Sequence, residues 1–312
     1  MILTIGTDCS GIEAPIEALK KVCSTYPKLN YVHKFSSEIN EYAIKYIKEN
    51  HNPEILFNNI QTRKTKDIPD IDIYVSGFPC QPFSRANKFK TNVDPRLNLF
   101  INCLEVITHK LPKIFILENV KTLITLNNGL YFNEILNGLN KNNKYHISWK
   151  VLNTKDYGIP QNRERLYIIG IRRDVLKFPF NFPKEVKMKS LKQFIDEDDN
   201  SRYKILESNK GLLNNIPKDS IFIDVGFRNA KFPKSNVWAP CITAQPNMWC
   251  VPKQRKANIK EYLMLQGFPT NVKHETISDH QMKIRVGNSM TVDVIEKLLI
   301  ECLRSMGYLY KE

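Results

Sequence analysis

Short apolar runs alternate with stretches of helical period through the first half of the chain. Residues 2–8 (ILTIGTD) read as a buried strand ending in the turn CSGIEAP, after which Ile16, Leu19 and Val22 fall on one helical face. The pattern then repeats, with YVHKFSSEI (31–39) as a strand and a helix over 40–49 that has Asn40 as its N-cap. IDIYVSGF (71–78), a helix over 97–109, KIFILENV (113–120), a helix over 130–140 and strand-like segments near 145–153 and 165–172 follow. Strand and helix in alternation predict an α/β fold, a doubly wound and mostly parallel sheet with helices on both faces.

The alternation breaks near residue 174. Several prolines, the acidic patch DEDD (196–199) and the loss of any helical period up to about Gln254 predict a second, smaller, loop-rich domain. From Ser289 onward, Met290, Val294, Ile295, Leu298, Leu299 and Cys302 recur at helical spacing, the pattern of a helix that packs back on the sheet. The expected boundaries are 1–178, completed by 285–312, for the first domain and 179–284 for the second.

Charge narrows the class of partner. Lysine and arginine number 46 against 32 acidic residues, a net charge of +14, which favours a polyanion such as nucleic acid over the alternative of a merely lysine-rich surface. The seven cysteines form no C-x-x-C pair, which argues against a zinc site and a disulfide framework and for a reducing compartment. No apolar run is long enough to cross a bilayer, and Met1 leads straight into a strand-like segment. The expectation is a monomer that binds no metal or membrane and is not secreted, in the cytoplasm or at the nucleoid of a host or virus-infected cell.

Ligands in doubly wound sheets bind outside the carboxyl ends of the strands, and several unusual elements sit there. Gly11 permits a tight bend before a helix amino end, and Glu38 ends the second strand where an acid can grip ribose hydroxyls. The turn lacks G-x-G-x-x-G, having Glu13 and Ala14 where glycines would stand, which disfavours a nicotinamide dinucleotide. Cys80 lies among Pro79, Gln81 and Pro82, turn residues that place the thiol in a loop as a candidate nucleophile. Glu118 and Asn119 are either caps or site groups. Gln161, Arg163 and Arg165 alternate into a strand, so that the two arginines either reach one anion or line a solvated edge.

These blocks, CSGIEAP, FSSEI, GFPCQPFS, DPRLNLF, LENV, DYGIPQNRER, LQGFP and GNSM, occur in the order found in the cytosine-C5 DNA methyltransferases of restriction-modification systems. The chain resembles that family over nearly its full length. The resemblance implies the S-adenosylmethionine-dependent methyltransferase fold with a DNA-recognition domain, S-adenosylmethionine as methyl donor and double-stranded DNA as substrate. It assigns Cys80 as the nucleophile that attacks C6 of a flipped cytosine, Glu118 to N3 and Arg163 to O2, with Arg165 beside them. It assigns the cofactor to Cys9, Ser10, Gly11, Ile12, Glu38, Ile39, Asn59, Ile60, Pro79, Leu99, Asn288 and Ser289. Gln81, Ser84, Gln161, Arg228, Lys231, Lys234, Thr243 and Arg255 are the implied DNA contacts, and Lys253 a further one.

The chain departs from the family pattern at Cys9, where an aromatic is usual, at Glu13 and Ala14, where a glycine pair is usual, and at Asn59, where an aspartate is usual. Altered cofactor affinity with intact chemistry is expected. A tRNA cytosine-C5 methyltransferase is the nearest alternative, but the Cys-Phe-Thr signature of that branch is missing. A catalytically silent DNA-binding relative is the other. The resemblance also leaves room for a cognate restriction endonuclease encoded nearby.

Overall fold

Each apolar run of the first half forms a strand. β1 (Ile2–Asp8), β2 (Asn30–Ser37), β3 (Ile55–Phe57), β4 (Ile73–Ser76), β5 (Ile114–Val120), β6 (Tyr145–Asn153) and β7 (Glu164–Arg172) make one sheet in the order β3-β2-β1-β4-β5-β7-β6. The computed structural model describes residues 1–79, 97–198, 219–226 and 236–309. β1 pairs in parallel with β2 and β4, β2 with β3, and β4 with β5. β7 runs antiparallel to β5.

The helices α1 (Ala14–Thr25), α2 (Glu41–Asn50), α3 (Leu97–Lys110) and α4 (Leu130–Asn140) alternate with the strands as the periodicity predicts. Asn40 caps α2, its side chain accepting from the backbone N–H of Tyr42 and Ala43. One core joins Phe35, Tyr74, Phe115 and Tyr145 to Phe100 and Val106 of α3 and Phe132 and Ile135 of α4. Alternate residues of the same strands, Ile73, Val75, Ile114 and Ile116, are equally buried, so the sheet is covered on both faces. The strand order reverses at β1, which gathers the carboxyl ends of β1, β2, β4 and β5 into the usual place for a ligand.

The chain divides into two units, one of residues 1–152, 164–184 and 295–312 and the other of 153–163 and 185–294. The second holds an antiparallel sheet of β8 (Phe222–Asp224), β9 (Met248–Cys250) and β10 (Arg255–Lys256), together with α5 (Ile259–Leu265) and α6 (Asp279–Asn288). A capping box between Asn258 and Glu261 starts α5. The last helix, α7 (Val292–Ser305), buries Leu298, Leu299 and Cys302, and the Ser305 carbonyl accepts from the N–H of Lys177 and Phe178. Among the described residues no helix is long and apolar enough to cross a membrane, and no cluster of His, Cys, Asp or Glu could hold a metal ion.

Candidate active site

The turn after β1 is built from left-handed residues: Cys9 (φ 50°), Gly11 (φ 56°) and Glu13 (φ 62°). A side chain on Gly11 would meet open space, so this glycine serves backbone conformation and leaves room beside the turn. Its N–H donates to Oε2 of Glu38 at 2.7 Å, and Oε1 of Glu38 accepts from the N–H of Ile39 (3.0 Å) and Asn40 (2.8 Å). Ser10 is buried, its hydroxyl accepting from the Ser37 N–H, and thereby pins the turn to β2. Ile39 is 73% exposed, an apolar side chain standing beside a partly exposed carboxylate. Asn59 uses Oδ1 to accept from the Gln61 N–H, while Ile60 packs in the core.

Arg63, which the sequence reading missed, ties these pieces together. Its guanidinium forms a bidentate pair with Asp8 at the end of β1, donates to the Ser37 hydroxyl, and lies 5.1 and 5.4 Å from the ring centroids of Phe35 and Phe57. Tyr74 donates to the same Asp8 carboxylate at 2.6 Å. No spacing rule links residues 55 positions apart, so only the folded chain reveals this bond.

At the other strand ends, β4 runs through Gly77 and Phe78 to the exposed Pro79. Nδ2 of Asn119 donates to the Phe78 carbonyl at 3.0 Å and Oδ1 accepts from the Val120 N–H, so this amide fixes the start of the segment leading to Cys80. Glu118 pairs with Arg165, Oε1 to Nε 3.2 Å. Leu99 of α3 packs against the core cluster. Burial pushes the thiol of Cys103 up to about 12 and that of Cys250 to about 11, so neither is a thiolate near neutrality.

Several expected contacts take other roles. Alternation leaves Arg163 and Arg165 either reaching one anion or lining a solvated edge, but the Arg163 guanidinium is 3% exposed and donates to the carbonyls of Ile242 (2.6 Å), Gly287 (3.2 Å) and Ser289 (2.7 Å). Gly287 has to be glycine here because a Cβ would lie 2.0 Å from the Thr243 carbonyl oxygen. Gln161, expected on DNA, is wholly buried and bonds the Leu265 carbonyl and the Ile242 N–H. Arg255, also expected on DNA, is 0% exposed and makes a bidentate pair with Glu261 at 2.8 Å. Ile12, expected on the cofactor, is buried in the core, in the turn just before α1.

Thr243 and Asn288 are exposed, as a ligand contact requires, whereas Ser289 is buried and Lys253 pairs with Glu197 at 2.6 Å. Cys80, Gln81, Ser84, Arg228, Lys231 and Lys234 lie outside the described residues.

The profile of C-5 cytosine-specific DNA methylases matches residues 9–304. The chain is 37% identical over 280 residues to the Type II methyltransferase M.HaeII of Haemophilus aegyptius, covering 88% of this chain and 86% of the relative. It is 36% identical over 280 residues to the Type II methyltransferase M.NgoBI of Neisseria gonorrhoeae, covering 87% and 86%. The fold is that of the Entamoeba histolytica methyltransferase EhMeth, with a TM-score of 0.74 over 97% of this chain and 98% of that one at 21% identity.

Proposed function

The chain belongs to the C-5 cytosine-specific DNA methylase family, and from that membership we propose that Cys80 opens the reaction by adding to C6 of a cytosine turned out of duplex DNA. The observation that carries this reading is the Glu118–Arg165 pair at the strand end where Asn119 holds Phe78, two residues before Cys80.

Cytosine C5 is too weak a nucleophile to take a methyl group unaided. When the Cys80 thiolate forms a bond to C6, the displaced ring electrons load negative charge on N3 and O2 and leave C5 electron-rich. Glu118, as the acid, gives its proton to N3, and the Arg165 guanidinium offsets charge at O2. The role first expected of Arg163 passes to Arg165, since the Arg163 guanidinium is engaged by backbone carbonyls. After C5 is methylated Glu118 takes back the N3 proton, a base takes the proton from C5, the C5–C6 double bond re-forms and the carbon–sulfur bond breaks to return the thiolate.

S-adenosylmethionine, when bound, supplies the electrophilic methyl group. The residues at the turn fit it: Glu38 presents a carboxylate to ribose hydroxyls, Ile39 an exposed apolar face to adenine, and Asn59 an amide to the adenine edge, beside the open space at Gly11. Extruding the base costs about a few kcal/mol of stacking and pairing. The net charge of +14 favours the phosphate contacts that offset it. Gln81, Ser84, Arg228, Lys231, Lys234 and Thr243 remain the residues we assign to DNA, and the second unit its recognition role. Relatives named as Type II methyltransferases support a cognate restriction endonuclease as partner.

The test is transfer of labelled methyl from S-adenosylmethionine to unmethylated duplex DNA and, separately, to bulk tRNA, with wild type and Cys80→Ser. Label in DNA that vanishes in the variant is the expected result. Label in tRNA alone would overturn the substrate, and undiminished transfer by Cys80→Ser would overturn the covalent step.

A further inference from the structure

We propose that Glu13 is the positioning residue of the cofactor turn and acts as a neutral carboxylic acid, so that affinity for S-adenosylmethionine falls when Glu13 loses its proton. The proposal rests on the cofactor reading above.

Glu13 occupies a left-handed conformation, φ 62°, which glycine would adopt without strain. A residue that is strained there and wholly buried is kept for its side chain. Oε1 accepts from the hydroxyls of Thr7 (2.8 Å) and Ser36 (2.6 Å). The Thr7 hydroxyl lies 2.7 Å from that of Ser10, which in turn accepts from the Ser37 N–H at 3.0 Å. Ser37 immediately precedes Glu38, whose carboxylate receives the Gly11 N–H. A single carboxyl thus links the end of β1, the turn, and the strand end that presents the ribose acid.

The surroundings favour the acid over the carboxylate. On β2, Nε2 of His33 lies 3.7 Å from Oε1; α1 contributes Glu17 and Lys20, which pair with each other at 2.7 Å. Tyr46 of α2 and His51 just after it complete that side, and Glu38 acts from across the turn. Neither histidine offers a cation near neutrality, because burial drives His33 down to about 4 and His51 to about 3. Among the described residues Oε2 of Glu13 has no hydrogen-bond partner, a loss far smaller for a neutral acid than for a carboxylate. Burial pushes Glu13 up to about 8, against the opposing pull of the Ser36 and Thr7 hydrogen bonds. Because folding raises this group's pKa, its stabilisation is complete below the ordinary carboxylate range and is lost as pH rises through about 8.

The experiment is calorimetric titration of wild type, Glu13→Gln and Glu13→Gly with S-adenosylmethionine between about pH 6.5 and 9.5. Glutamine copies the neutral acid in shape and hydrogen bonding, so Glu13→Gln should bind at neutral pH as wild type does. Wild type should then lose affinity relative to Glu13→Gln by up to about tenfold per pH unit above 8. The ligand's own amino group titrates identically in both and cancels. Glu13→Gly should bind more weakly at every pH. Parallel pH profiles for wild type and Glu13→Gln, or undiminished binding by Glu13→Gly, would overturn the inference while leaving the cofactor reading intact. Folded wild type that binds at no pH would overturn the cofactor reading itself, and this inference with it.

Discussion

Nε of Arg165 lies 3.2 Å from Oε1 of Glu118 across the antiparallel pair β5–β7, in which Val120 faces Arg165 and Glu118 faces Tyr167. The two are diagonal neighbours on one face of the sheet. Strand direction decides this: Arg165 is the second residue of β7 and Glu118 nears the end of β5, so a parallel β7 would carry the arginine to the opposite end of the strands. If the pair stabilises one developing charge, Arg165→Met and Glu118→Gln should each lower kcat/KM for DNA methylation by about 10²–10³. The double variant should lose far less than the product of the two. Single-turnover methyl transfer measures all three; multiplicative losses would mean that the two side chains act independently.

Arg163, two residues earlier, should behave differently. Its buried guanidinium satisfies the carbonyls of Ile242, Gly287 and Ser289. Arg163→Met strands those acceptors at a cost on the order of 3 kcal/mol. A fall of several degrees in the unfolding midpoint is expected, with Arg163→Lys recovering only part because an ammonium lacks the planar fork. An unshifted midpoint for Arg163→Met, with activity lost, would return this residue to the chemistry.

Periodicity and turn residues carried most of the fold, because the strands are buried on both faces and read as apolar runs while helices such as α2 announce their caps. β3 escaped notice because three residues at a sheet edge make no pattern. The reversed direction of β7 escaped because alternation is the same in either sense. Around the candidate site, the turn at Gly11 and the strand end at Glu38 fall where the residue types predict them, whereas the pairing of Glu118 with Arg165 depends on the direction of β7. Neither alternation, for Gln161 and Arg163, nor the resemblance, for Arg255, gave the partners seen, since a polar residue bonded to buried carbonyls or carboxylates looks, in sequence, like one offered to a phosphate. Arg63 carried no signal at all, its partner Asp8 being distant along the chain.

Arg255 supplies a direct check of that ambiguity. It is fully buried against Glu261, and its Nη2 also donates to the Asp196 carbonyl. Arg255→Met leaves a buried carboxylate without its cation and should destabilise folding by about 3–5 kcal/mol. Where the variant remains folded, the slope of log affinity for DNA against log salt should match wild type, since no phosphate contact is removed. A slope reduced by about one would identify Arg255 as a phosphate contact after all.

The buried groups under the cofactor turn also set the pH of greatest stability. His33 and His51 are held neutral by burial, at about 4 and about 3, so between 6.5 and 4 the unfolded chain takes up protons that the native state refuses. Alone, they make stability fall as pH drops below 6.5. Glu13 has the opposite sense: between its ordinary value of 4.5 and about 8 the native state holds a proton that the unfolded chain has released, so stability falls as pH rises. Below 6.5 two histidines outweigh one glutamate, and above it the glutamate acts alone. These three groups therefore place the optimum near pH 6.5. Urea unfolding across this range should show that optimum in wild type. Glu13→Gln should abolish the alkaline fall, and His33→Gln with His51→Gln should flatten the acid one; an alkaline limb unchanged in Glu13→Gln would mean that Glu13 is already ionised at neutral pH.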